Sequence, residues 1–159
     1  MNNAANAVVY EALKNYYLNL PHCQAIGLQF EQTIGTTPIL SVPYQACLQA
    51  EQHSQRLHGG VMTTLMDVTC ATAVSAHLSE VEALATLDLR MDYLQDALEQ
   101  APIFGRAQCH QLNDDIAFVH GTCYQASSQP HIIATATATF IRTILPTDVQ
   151  QIITKAWIS

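Results

Sequence analysis

The stretch Leu57-His58-Gly59-Gly60-Val61-Met62-Thr63-Thr64-Leu65-Met66-Asp67 decides how this chain is read. After Gly60 no glycine or proline appears before residue 79, and Ala, Met, Leu and Thr dominate. A segment so free of helix breakers, and apolar or small on almost every face, predicts a buried helix over 59–78. Asp67 is the only formally charged side chain between Arg56 and Glu80. At helical spacing Gly60, Thr63, Thr64, Asp67 and Ala71 share the one polar or small stripe, while Val61, Leu65 and Val68 with Met62, Met66 and Cys70 cover the rest. A carboxylate in such a helix costs free energy unless it is paired or hydrogen-bonded. Asp67 is therefore either a structural aspartate bonded to an amide or hydroxyl, or a group facing a narrow groove. Gln52 before the helix and Thr86 after it supply polar partners for either role.

His58-Gly59-Gly60 stands where the helix begins. Two glycines let a ligand approach the main chain, and the first amides of a helix lack intrahelical acceptors and sit at the positive end of its dipole. Such a place suits a carbonyl oxygen that gains negative charge under attack. The plain alternative is a turn with a capping histidine. Gly59 and Asp67 are eight residues apart, about 12 Å along a helix. An oxyanion seat and a base so far apart do not serve one carbonyl. If they act together, Asp67 comes from a second copy of the helix, antiparallel across a two-fold axis, giving two equivalent composite sites.

Outward from the helix, Ala5, Val8, Val9, Ala12, Leu13, Tyr16, Tyr17 and Leu20 mark an amphipathic helix over 5–20 that Pro21 stops. Residues 26–34 and 39–48, joined by Gly35-Thr36-Thr37-Pro38, predict a β-hairpin. Strands are predicted at 85–94, 103–112, 116–126 and 132–144. In the first of these Leu87, Leu89, Met91 and Tyr93 alternate with Thr86, Asp88, Arg90 and Asp92, as in a half-buried strand. Asn113-Asp114-Asp115 and Ser127-Ser128-Gln129-Pro130 serve as hairpin connections. The expected architecture is α+β, an antiparallel sheet packed on one long helix. The tail after Pro146 is expected to form a short packing helix.

A chain of 159 residues suits one domain. It is 49% hydrophobic and only 12% charged, so part of its apolar surface is expected to meet another subunit or an apolar ligand. The net charge of −7, with six basic residues spread singly, argues against nucleic-acid binding. Five cysteines without a C-x-x-C pair read as reduced core residues of a cytoplasmic protein. The start of the chain has no basic-then-apolar pattern, and no stretch is long and apolar enough to span a membrane. His22, His53, His77, His110, His120 and His131 are scattered without H-E-x-x-H, so no metal is expected, and no G-x-S-x-G, P-loop or G-x-G-x-x-G motif is present. No cofactor is expected.

The 57–67 run resembles the H-G-G-x-x-x-x-L-x-D signature of hot-dog-fold thioesterases of the phenylacetate-degradation (PaaI-like) group. Thr86 to Leu94 is similar to that group's strand after the central helix, and Ile133 to Phe140 to its last strand. The likeness covers roughly residues 22–142, and the three segments also resemble the medium- and long-chain acyl-CoA thioesterase branch. It implies a hot-dog fold, a sheet wrapped around the helix, and acyl-CoA hydrolysis by a dimer or dimer of dimers. The Gly59 N–H would polarise the thioester carbonyl, with His58 and Gln52 as polar helpers, and Asp67 of the opposite subunit would be base or nucleophile. Thr86 matches a residue that assists the attacking water. Where some aryl-CoA members carry a Thr one turn after the carboxylate, this chain has Ala71, leaving Thr86 or Thr64 to position water. Gly60, Thr64 and Arg90 are candidate substrate contacts. Arg56, Arg90 and Arg106 are candidates for the nucleotide phosphates, although Arg90 shares a face with Asp88 and Asp92 and is free to pair with them. The rival readings are a non-catalytic acyl-CoA or lipid-binding dimer, an aryl-CoA thioesterase, and a hydratase or dehydratase on the same scaffold.

Overall fold

A computed structural model of the chain describes residues 3–127 and 129–158. Helices α1 (Asn3–Leu18) and α2 (Pro21–Ala25) precede a hairpin of β1 (Gln29–Ile34) and β2 (Thr37–Val42). A 3-10 turn at Ala46–Leu48 leads to the long helix α3 (Gly59–Ser75). Strands β3 (Glu82–Tyr93), β4 (Ile103–Leu112), β5 (Ile116–Gln125) and β6 (His131–Ile144) follow, and α4 (Thr147–Trp157) ends the chain. All six strands form one antiparallel sheet in the order β1-β2-β4-β5-β6-β3. Helix α3 packs on one face of it, chiefly against β4, β5 and β2. This is the α+β hot-dog layout, with an additional N-terminal helix.

The sheet takes the helix so closely because its inner face is small. Ala107, Ala117, Ala134, Ala136 and Ala138 are buried there. A Cβ on Gly121 would stand 2.4 Å from the Met66 Cε, and one on Gly105 would stand 2.7 Å from the Thr69 Oγ1. The knobs Leu65 and Met66 occupy the space so vacated, and both are buried. Each such side chain contributes about 1.5–3 kcal/mol by leaving water. The buried hydroxyls of α3 are satisfied within the helix: Thr69 donates to the Leu65 carbonyl (2.6 Å), Thr72 to that of Val68 (2.8 Å) and Ser75 to that of Ala71 (3.0 Å).

Several expectations need correction. The N-terminal helix ends at Leu18, and Pro21, expected only as a stop, also occupies the first turn of α2, where its missing N–H costs nothing. Helix α3 ends at Ser75 rather than 78. The hairpin turn contains only Gly35 and Thr36, with Gly35 at φ 64°, and β2 stops at Val42. Cys47 is exposed, whereas Cys23, Cys70, Cys109 and Cys123 are buried. Ser128, part of the expected β5–β6 connection, lies outside the described residues.

The largest correction concerns β3. Its register against β6 slips by one residue between Thr86 and Asp88. That bulge breaks the simple alternation. Thr86 pairs with Phe140, and so falls on the helix-facing side with Leu89, Met91 and Tyr93, while Leu87 is left 56% exposed. The tail is indeed a packing helix: the Asn15 side-chain amide of α1 donates to the Trp157 carbonyl of α4 (2.6 Å), and the Tyr16 and Trp157 rings meet edge-on.

Candidate active site

Helix α3 runs antiparallel to β3, so each end of the helix meets a different part of the strand. At its N-terminus His58 is extended (φ −65°, ψ 142°) and its Nδ1 accepts from the Gly60 N–H at 2.9 Å, the geometry of an N-cap. The capping role anticipated as the plain alternative is therefore present. It leaves the Gly59 N–H without an acceptor among the described residues, at the positive end of a 17-residue helix. The Gly59 carbonyl is held from the other side by the Tyr93 hydroxyl (2.9 Å) and the Thr63 Oγ1 (3.2 Å). The packing at residue 59 is tight, since a Cβ there would lie 3.2 Å from the phenol oxygen of Tyr93.

Two turns further on, the half-buried Asp67 accepts from the Thr86 Oγ1 at 2.8 Å. The bulge at Leu87 makes this contact possible by turning Thr86 toward the helix. Thr64 donates to the Gly60 carbonyl (3.1 Å) and lies 3.2 Å from the His22 Nε2. Burial pushes the thiol pKa of Cys70 well above the usual range, and the Asp67 charge adds to the shift, so that thiol is no nucleophile here. Of the expected stripe, Gly60, Thr63, Thr64 and Asp67 form the side of α3 left uncovered, whereas Ala71, one turn further on, is buried.

Beside Gly59 opens a cleft of about 630 Å³, with Leu57, Met62, Leu94 and Ile133 among its apolar lining, a volume in the range of small-molecule sites. Its walls are the 50–57 turn and the loop after Tyr93. Arg56 bonds Asp96 (2.9 Å) and approaches Glu99 (3.8 Å), and Gln100 in the left-handed region bonds Gln55 through both backbone (2.8 Å) and side chain (2.7 Å). Buried Gln125 fastens the loop by accepting from the Leu98 N–H and donating to the Leu98 and Ala101 carbonyls.

The structure thus brings His58, Gly59 and Gly60 together at one station and Asp67 with Thr86 at another. It does not bring Gln52 to either: that residue lies in an exposed turn and makes no hydrogen bond among the described residues. Arg90 is exposed on the far face of β3 and bonds Asp92 (2.9 Å). Arg106 lies over the Tyr124 ring on β4 and β5, away from α3. Tyr93 was not singled out by sequence reasoning. Its place in the alternation put it on the helix-facing side, but nothing in the sequence marked the Gly59 carbonyl as its partner.

An antiparallel sheet around one long helix, with an unpartnered amide at the helix entrance and a carboxylate two turns on, defines a hot-dog protein equipped for acyl-transfer chemistry. Residues 55–130 match the Thioesterase superfamily. A Pseudomonas aeruginosa protein of solved structure is 33% identical over 84% of this chain and 99% of its own, with a TM-score of 0.74. A thioesterase family protein from Silicibacter pomeroyi superposes with a TM-score of 0.75 at 23% identity, over 86% of this chain and 99% of its own. The Escherichia coli PaaI protein of the phenylacetic acid degradation operon gives 0.70 at 17%, over 87% and 99%. Likenesses at these last two identities speak for the fold. A comparison with curated proteins gives no match. The chain belongs to the thioesterase superfamily.

Proposed function

We propose that this protein is an acyl-CoA thioesterase of medium- to long-chain preference, working in the cytoplasm as a homodimer or a dimer of dimers, with each site built from two subunits. The observation that carries the proposal is the unpartnered Gly59 amide on the open cleft, set eight residues from an Asp67–Thr86 pair on the same uncovered stripe of α3. About 12 Å of helix separates the two stations within one chain. The unpaired edge of β3 supplies a way to bring them together. If two β3 edges pair about a two-fold axis through Arg90, Leu89 falls opposite Met91 of the partner subunit. Tyr93 then faces the bulge at Thr86 of the partner subunit. Gly59, tied to Tyr93, thereby meets Asp67 of the partner subunit, tied to Thr86.

In this arrangement the thioester carbonyl oxygen accepts from the Gly59 N–H. Asp67 takes a proton from a water held with Thr86, and the water oxygen attacks the carbonyl carbon. Negative charge moves onto the carbonyl oxygen, where the amide and the helix dipole stabilise it. When the tetrahedral species collapses, the C–S bond breaks and the CoA thiolate takes up the proton held by Asp67, leaving the free acid and CoA. Direct attack by the Asp67 carboxylate, giving a mixed anhydride that water then opens, yields the same products. His58 acts by holding the helix entrance in shape. The cleft beside Gly59, with both apolar and polar side chains in its lining, suits the amide-bearing pantetheine arm, with the phosphates toward solvent.

The test is thiol release from CoA esters, acetyl through palmitoyl with benzoyl and phenylacetyl, by wild type and Asp67→Asn. The expected loss in kcat is about 10²- to 10⁴-fold. Full activity in the variant sinks the mechanism, and a wild type that hydrolyses none of the esters turns the reading to a binding protein.

A further inference from the structure

We infer that the pocket between α1, α4 and the start of β3 receives the far end of the acyl chain and sets a medium-chain optimum. This rests on the reading of Asp67 as the group that acts at the thioester. The cavity measures about 130 Å³ and is bounded by Leu13, Tyr16, Tyr17, Leu84, Leu145 and Ile153. Leu84 and Thr86 project from the same face of β3, since each pairs with an inward-facing residue of β6 (Arg142 and Phe140), and two strand residues span about 7 Å. The cavity therefore begins one step along the strand from the hydroxyl that holds Asp67. Tyr17 of α1 also lines it, and burial, with smaller contributions from Tyr16 and the Asp67 charge, raises the Tyr17 phenol pKa.

Nothing in its lining calls for a polar guest. The one acid that borders it, Glu82, is 5% exposed and is spent on Arg142, which donates to its two oxygens at 2.7 and 2.9 Å. A dry apolar cavity of similar size holds a guest as large as benzene, so this one suits about four to six terminal carbons. A chain must first cover the step of about 7 Å from Asp67 to Leu84. Acetyl and butyryl groups fall short of the cavity, octanoyl just reaches it, decanoyl and dodecanoyl groups fill it, and palmitoyl overruns it. Each methylene that enters is expected to raise kcat/KM by about fourfold.

The experiment is a kcat/KM profile over straight-chain CoA esters from acetyl to palmitoyl, on the full chain. Wild type is compared with Ile153→Phe and Leu84→Trp, which fill the cavity, and Tyr16→Ala, which opens it; thermal unfolding checks that each variant is folded. The expected result is a decanoyl or dodecanoyl optimum that moves to shorter esters in the filled variants and to longer ones in Tyr16→Ala. The Ile153 and Tyr16 changes lie on helices outside the sheet, so the inference does not hang on a strand variant that fails to fold. An optimum that stays put in the folded variants, while hydrolysis still depends on Asp67, overturns the inference alone. Hydrolysis of no ester, or full activity in Asp67→Asn, overturns the thioesterase reading and the inference with it.

Discussion

The sheet has two edges, and the chain treats them in opposite ways. Edge strand β1 is six residues long and is broken by a register shift at Glu31. Its inner side is occupied by α1: the Tyr10 hydroxyl lies 2.7 Å from the Thr33 Oγ1, and Lys14 stands over the Phe30 ring. Edge strand β3 is twelve residues long. It leaves Leu87 56%, Tyr93 52% and the following Leu94 59% exposed, beside the half-buried Leu89 and Met91. A short edge covered from inside by a helix resists pairing, and a long one with exposed apolar side chains invites it. The features that the fold leaves spare, the Gly59 amide and the Asp67 carboxylate, both lie along the inviting edge. The closed edge completes the domain, and the open edge is where a second copy would complete the site.

The largest expected effect comes from mixing two inactive variants. Asp67→Asn keeps its helix entrance, and Gly59→Val keeps its carboxylate while crowding Tyr93. Each alone is expected to lose about 10²- to 10⁴-fold in kcat. Refolded together in equal amounts, half of the dimers are mixed, and each of those holds one site with both groups intact. The mixture is expected to recover about a quarter of wild-type activity. Recovery no greater than the sum of the two separate variants means that the site lies within one chain, and the contrast between the edges then loses its functional meaning.

A matched pair of charges tests the edges themselves. Leu87→Lys on β3 and Ile34→Lys on β1 each place an ammonium at an exposed aliphatic position, 56% and 62% exposed in the single chain. Loss of one buried leucine side chain is worth about 1.5–3 kcal/mol, so Leu87→Lys is expected to weaken dimerisation at least tenfold. Ile34→Lys should leave it unchanged. Sedimentation over a dilution series reads both, and equal weakening by the two would remove β3 from the interface.

Much of this contrast was legible in the sequence, and the rest was not for definite reasons. The buried helix announced itself because no breaker follows Gly60 and a single charge interrupts the apolar run. Strand β4 has the bounds expected for it, with Asn113-Asp114-Asp115 marking its end. Asp67 stood out through its isolation, and Thr86 through likeness to a family strand. The bulge at Leu87 was invisible: no glycine marks it, and the local sequence alternates as if the strand were regular. Yet that bulge is what turns Thr86 toward Asp67. The left-handed Gln55 and Gln100 were equally silent, because neither is a residue type that favours the conformation; their mutual hydrogen bonds hold it. The place of Gln52 rests on a turn whose path depends on contacts remote in the chain.

The smallest effect is the most discriminating, because each edge carries one tyrosine hydroxyl in a comparable bond. Tyr93 donates to the Gly59 carbonyl at 2.9 Å, and Tyr10 meets the Thr33 hydroxyl at 2.7 Å. Each bond is worth about 0.5–1.5 kcal/mol, so either Phe variant costs the fold little. Their effects on turnover should differ. Tyr93 steadies the peptide that follows the Gly59 amide, so Tyr93→Phe is expected to lower kcat by about two- to tenfold with KM nearly constant, because an amide that is less well aimed loses most where charge accumulates. Tyr10→Phe is expected to shift only the unfolding temperature. A Tyr93→Phe enzyme with wild-type kcat and a lowered unfolding temperature would place both tyrosines in the same structural role, and Gly59 would then be aimed by the His58 cap alone.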